Sequence, residues 1–168
     1  MKKLIALLCL LLTLALPALA AAGASYTPVY RSTLQFIDEL NARGLQYDGP
    51  WLDDGDECVS LRYSFDDFDT VLSVYVFFPE DCTYGCMIVY HLIDFDRADL
   101  NYLYRACNEE NYDCWFVRFC VDESDYSVTA ILDFNLFGEE TGAMSLQALY
   151  DMVDACDTAL ERFSLYAK

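Results

Sequence analysis

The sequence predicts an α+β domain: an antiparallel sheet, meander plus hairpin, with three helices on one face, in the order α-β-β-β(-β)-α-β-β-α. Three observations carry this. Apolar residues at helical spacing open the domain, divide it near its middle and close it. The stretches between them alternate apolar and polar residues, the pattern of half-buried strands. The links between those strands are short acidic or Gly/Pro turns, whereas parallel crossovers need a dozen or more residues.

The first helix is expected from a Thr27-Pro28 N-cap or a Ser32-x-x-Gln35 capping box, with Leu34, Ile37 and Leu40 as its stripe and Gly44 as its stop. Residues 45–52 suit a short strand interrupted at Gly49-Pro50, and Asp53-Asp54-Gly55-Asp56-Glu57 suits a hairpin turn. Over 58–65, Val59, Leu61, Tyr63 and Phe65 fall on one face and Cys58, Ser60, Arg62 and Ser64 on the other. Residues 70–78 are dense in β-branched and aromatic side chains and close at Pro79. Cys82 to Cys86 forms a turn, and 87–93 the next strand.

Asp96 is expected to cap the middle helix, with Leu100, Leu103, Tyr104 and Cys107 on its apolar stripe and Asn108 or Asn111 at a left-handed exit. The following strand sets Trp115, Val117, Phe119 and Val121 on one face and Cys114, Phe116, Arg118 and Cys120 on the other. Its hairpin partner spans 126–132. Residues 134–142 read as a loop broken by Gly138 and Gly142. A final helix starts at Ser145 with Leu149, Val153, Cys156, Leu160 and Phe163 repeating along it.

The N-terminus is a separate feature. Lys2 and Lys3, the apolar run 4–16 and Ala18-Leu19-Ala20 have the three-part pattern of a secretory signal peptide. The expected organisation is a signal peptide over 1–22, a short leader over 23–31 and a single domain over 32–166. Export to a secreted or extracytoplasmic location follows, with no stable membrane insertion after cleavage. Cys9 lies inside the apolar run behind Leu8, which does not suit a lipid-attachment site. Removing the signal takes two lysines and no acids, which moves the formal charge from −18 to −20 and leaves Lys168 as the only lysine. That charge excludes nucleic acid as a partner, because phosphate binding needs clustered Lys and Arg.

Seven cysteines remain and are disulfide candidates in an oxidising compartment: Cys58, Cys82, Cys86, Cys107, Cys114, Cys120 and Cys156. Cys82 with Cys86 would close a hairpin loop. Cys107 and Cys156 lie on the apolar stripes of two helices, as a bridge or as two buried thiols. Cys114 and Cys120, six residues apart on one strand, cannot reach each other, but either could reach Cys58 from a neighbouring strand. Seven is odd, so one thiol stays unpaired.

No catalytic set emerges. His91 is the only histidine and sits in mid-strand. Cys82-x3-Cys86 lacks the second pair a zinc site needs. The acidic turns Asp53, Asp54, Asp56, Glu57 and Asp122, Glu123, Asp125 do not follow the calcium-loop spacing. No catalytic, metal or cofactor residue is assigned.

The helix LNYLYRACNEEN and the strand pair WFVRFCVDESDYSVTAIL, in this order of elements, resemble the YbjN family over roughly residues 33–163. The resemblance rests on Asn108, Asn111, the Phe116-Val117-Arg118-Phe119 run and Asp122. It implies the type III secretion chaperone fold and a non-enzymatic binding or chaperone-like role, often dimeric. The signal peptide and the cysteines depart from the cytosolic chaperones of that fold. The expected function is a secreted, acidic protein that binds a protein partner or a second copy of itself through the helix-free sheet face, with Arg62, Tyr75, Phe77, Phe116 and Arg118 as anchors. The alternative is a secreted small-ligand or divalent-cation module that uses the acidic turns; a secreted hydrolase ranks behind both.

Overall fold

The computed structural model describes residues 26–65, 70–80 and 83–166. The signal segment, the first three residues of the leader and Cys82 lie outside the described residues. Six strands, β1 (Asp48–Asp53), β2 (Asp56–Phe65), β3 (Thr70–Phe78), β4 (Tyr84–Asp94), β5 (Val117–Asp122) and β6 (Ser127–Asn135), pair antiparallel throughout, in the order β1-β2-β3-β4-β6-β5. Helices α1 (Arg31–Ala42), α2 (Leu100–Asp113) and α3 (Thr141–Phe163) supply the other layer. Among the described residues no helix is long and apolar enough to cross a membrane.

The core forms where alternation on the strands meets periodicity on the helices. Leu72, Val74, Val76 and Phe78 of β3, Met87 and Val89 of β4, and Val128, Ala130 and Leu132 of β6 point to the helical layer and are buried. They meet Phe36 and Leu40 of α1, Leu103 and Cys107 of α2, and Leu149, Met152, Leu160 and Phe163 of α3. Phe119 of β5 meets the ring of Phe163 edge-on at 5.5 Å.

Helix α1 begins and faces differently from the sequence expectation. Neither Thr27 nor Ser32 caps it; Tyr30 occupies the N-cap position, and its hydroxyl donates to the Gly55 carbonyl at 2.9 Å instead of capping the helix. The carboxylate of Glu57, arriving from β2, instead accepts the Val29 N–H at 2.6 Å and the Tyr30 N–H at 3.2 Å. The buried face is Ser32, Thr33, Phe36 and Leu40, and Leu34 is exposed. The rotation follows from α1 lying against both the sheet, through Phe36 and Phe78, and α3. Gly44 does end the helix: at φ +66° its N–H donates to the Asn41 carbonyl while Leu45 N–H donates back to Leu40.

The two-residue turn Asp54-Gly55, both at positive φ, joins β1 to β2 as the Asp-Gly pair predicts. In β4 the register with β6 shifts between Val89 and Ile93, and His91 takes φ +52° there. Asp96 stands at the N-cap position of a 3-10 turn (Arg97–Asp99) that runs into α2, with its carbonyl accepting the Asp99 N–H at 2.8 Å and no side-chain capping bond. Tyr104 is off the buried stripe, its hydroxyl donating to Glu123 of the β5–β6 turn, while Ala106 and Glu110 are on it.

The expected left-handed exit at Asn108 or Asn111 is absent. The helix runs on to Asp113 and leaves through an extended Cys114. Asn111 acts with its side chain: its amide donates to the Phe119 carbonyl at 2.9 Å and its carbonyl accepts the Phe119 N–H at 2.7 Å. Both main-chain groups that Phe119 turns away from β6 are thereby paired. Asn111→Ala should cost about 1–2 kcal/mol, because two backbone groups lose their partners. Urea unfolding measures it, with faster amide exchange at Phe119 as the local sign.

Helix α3 starts four residues before the expected Ser145. Gly142 lies in its first turn because α1 crosses there: a Cβ on Gly142 would stand 2.5 Å from the Gln35 carbonyl oxygen. Phe134, expected in a loop, belongs to β6 and packs its ring over Gly85 of β4. Met152 rather than Val153 is the fully buried residue of that turn.

Candidate functional site

Three helices cover one sheet face, and the other carries the candidate site. Register aligns its side chains in rows across the strands. One row runs Trp51, Cys58, Phe77, Cys86 and Asp133; the next runs Ser60, Tyr75, Ile88, Ile131 and Arg118. Trp51 meets Tyr75 edge-on at 6.5 Å, and Tyr75 meets Tyr90 at 5.7 Å. The result is an aromatic strip with Phe77 beside it, half-buried by neighbouring side chains alone.

Arg62 and Arg118 stand far apart on this face, on β2 and on the edge strand β5. Each is held by a carboxylate of the same chain, Arg62 by Asp48 at 3.4 Å and Arg118 by Asp133. Both pairs are exposed, so each contributes at most about 1 kcal/mol and can be exchanged for a partner's carboxylate.

Tyr75, Phe77, Arg62 and Arg118 therefore share one surface. Phe116 does not. Strand β5 begins at Val117, so the parity that sets Cys114 and Phe116 beside Arg118 fails at the preceding bend. Phe116 stands at the molecular edge next to α3, Cys114 packs partly against the core, and Trp115, expected inward, is exposed. Sequence reasoning missed Trp51 and Tyr90. The first sits in a strand broken at Gly49-Pro50; the second carries the same alternation as Tyr75 and could have been found from it.

The six described cysteines are free thiols. Sheet order overturns the expected bond from Cys58 to Cys114 or Cys120, since three strands separate β2 from β5. That is roughly 19 Å at strand spacing, against a Cα separation of about 4–7 Å in a disulfide. Cys107 and Cys156 are both buried without a bridge. Burial pushes Cys58, Cys86, Cys107 and Cys156 up to about 12, which keeps them protonated and poorly nucleophilic.

His91 lies at the surface, its Nδ1 2.8 Å from Asp94 and its Nε2 3.5 Å from Asp125; the Asp94 hydrogen bond raises its pKa. Among the described residues no group of three or more His, Cys, Asp or Glu is placed to hold a metal ion. Glu57, read as a turn acid, is buried as the acceptor for the α1 N-terminus.

One charge cluster is partly buried. Arg162 of α3 bonds Glu110 of α2 at 2.8 Å and approaches Glu109 at 3.5 Å and Asp113 at 3.7 Å. Burial raises the Glu110 pKa above its ordinary 4.5, with Arg162 pulling it back. Arg162→Met should destabilise by about 2 kcal/mol at pH 7, less than the roughly 3–5 for a fully buried pair because Arg162 is partly exposed. Without the cation the Glu110 pKa rises further, so the folded state binds the proton more tightly than the unfolded chain. The deficit then shrinks as pH falls through that raised value and is complete above it. Thermal melts of both proteins from pH 7 down to 4 measure the convergence.

This architecture, an antiparallel sheet with three helices on one face, is that of a small α+β domain. The profile of the YbjN family, described as "Putative bacterial sensory transduction regulator", matches residues 37–165. The chain belongs to the YbjN family. Its fold is similar to the crystal structure of E. coli YbjN, described as a putative transcription regulator, at 10% identity and TM-score 0.57, covering 84% of this chain and 96% of that one. A chain of the HopA1-SchA chaperone-effector complex aligns at 12% identity and TM-score 0.48, covering 80% of this chain and 99% of its own length. No curated protein matches the chain.

Proposed function

We propose that this YbjN-family chain is an exported, non-enzymatic protein that binds polypeptide on its helix-free sheet face. The observation that carries the reading is the aromatic strip of Trp51, Tyr75 and Tyr90 with Phe77, flanked by exchangeable arginine pairs. Aromatic and arginine side chains are the residues that most often anchor protein interfaces. The buried, protonated thiols and the surface histidine held between two carboxylates fit a role without covalent or acid-base chemistry. Export is supported by the N-terminal pattern of Lys2-Lys3, apolar run and Ala18-Leu19-Ala20.

The test is titration with a permanently unfolded protein, carboxymethylated α-lactalbumin, alongside sizing of the free protein. Binding by the wild type, lowered about tenfold or more by Tyr90→Asp or Tyr75→Ser, supports the reading. Equal binding by all three proteins overturns it. A dimer that Tyr90→Asp splits, with no binding to the unfolded protein, would assign the face to a second copy instead. Fractionation of cells that express the full chain, with the N-terminus of the exported form sequenced, tests export and cleavage near residue 22.

A further inference from the structure

Three aromatic side chains stand out where the chain leaves α2 and enters β5, and none packs into the core: Tyr112 is 86% exposed, Trp115 90% and Phe116 71%. Single apolar residues are ordinary on a surface, but three such exposed aromatics within five positions of the chain suit a place of contact. Phe116 is also shared by two adjoining hollows along α3. One, of about 310 Å³, lies against β6 and is lined by Phe134, Met144 and Ala148. The other, of about 280 Å³, lies against the C-terminal end of α2 and is lined by Cys114, Ala155 and Thr158. Asp151 borders both, so they form one groove past Phe116. From Met144 to Thr158 it follows α3 for roughly 21 Å, the length of about four turns of a partner helix.

The floor is apolar and the rim is anionic. Asp133, Glu110 and Asp113 on the rim are met by Arg118 or Arg162. Asp151 and Asp154 have no ion pair among the described residues; Asp151 accepts only the Gln147 amide, at 2.8 Å. Uncompensated carboxylates beside exposed aromatics are complementary to a cationic, apolar surface. A second copy of this chain carries the wrong charge, at a formal −18 per chain.

We propose that this groove docks an amphipathic cationic helix of a partner protein, with Trp115 and Phe116 against its apolar stripe and Asp151 and Asp154 against its Lys or Arg residues. The groove meets the helix-free sheet face at the Arg118–Asp133 pair, whereas Trp51, Tyr75 and Tyr90 lie outside its lining.

The probe is a fluorescein-labelled 14-residue peptide of leucine and lysine at helical spacing, titrated into the full-length protein and followed by anisotropy. Binding should weaken about tenfold in Trp115→Ala, whose exposed side chain bears no fold, and about tenfold in Asp151→Asn/Asp154→Asn. Tyr90→Asp should leave it unchanged, and a scrambled peptide of the same composition should bind poorly. Equal binding of the scrambled peptide, or affinity unmoved by both groove variants, overturns the proposal. So does loss of binding in Tyr90→Asp alone. A dimer that Trp115→Ala dissociates, with no peptide binding, would give the groove to a second copy and overturn the assigned occupant.

Discussion

Phe78→Ala should lower the unfolding free energy by about 4 kcal/mol, the largest single effect expected here. Phe78 is fully buried at the end of β3. Its ring lies 5.4 Å from Phe36 of α1 and 6.2 Å edge-on from Phe134 of β6, so one side chain ties together the first helix, the meander and the last strand. Truncation loses the ring's transfer energy and leaves a cavity. Phe134 cannot collapse into it freely, because its ring is also held over Gly85. Guanidinium unfolding measures the loss. A Phe36→Leu/Phe78→Ala double variant should lose less than the sum of the two singles, since the rings contact each other.

Glu57→Ala should cost about 3 kcal/mol, although it removes no hydrophobic contact. The carboxylate is fully buried and accepts the Tyr26 hydroxyl at 2.8 Å together with the N–H groups of Val29 and Tyr30. Removing it leaves two donors at the start of α1 without an acceptor. Glu57→Gln preserves shape but offers an amide where a carboxylate met donors, and should fall between. The same contact pushes the Tyr26 hydroxyl up to about 12. Either variant should bring that one tyrosine back toward 10, which a pH titration of its ring resonances detects.

Element order was legible because it depends on local periodicity. The Asp-Gly turn, the Gly44 stop and the alternation of β2 and β3 all stand where spacing sets them. What failed depends on distant neighbours. The cap of α1 comes from Glu57, some twenty-seven residues away in sequence, so no local box could show it. The stripe of α1 is turned toward Phe36 because the helix has two partners, and its Gly142 contact with α3 joins residues a hundred positions apart.

Strand parity is fragile for a related reason. One bend before β5 moved Phe116 from the sheet face to the α3 groove and Trp115 from core to solvent. Thus Tyr75, Phe77, Arg62 and Arg118 were readable as one surface, while the groove, assembled from α2, β6 and α3, had no sequence signature at all.

The Asn111 clamp bears on how this molecule can recognise anything. Sheets often capture ligands by adding a visiting strand to an open margin. At the β5 margin the central residue offers no vacant main-chain donor or acceptor, since Asn111 holds both. At the β1 margin Pro50 brings no N–H, and the ladder loses register between Asp48 and Trp51. Lateral growth is thus discouraged on both sides, which protects an apolar-rich sheet from edge-to-edge polymerisation. Specificity is left to side chains presented broadside, where single substitutions can retune it without disturbing the backbone.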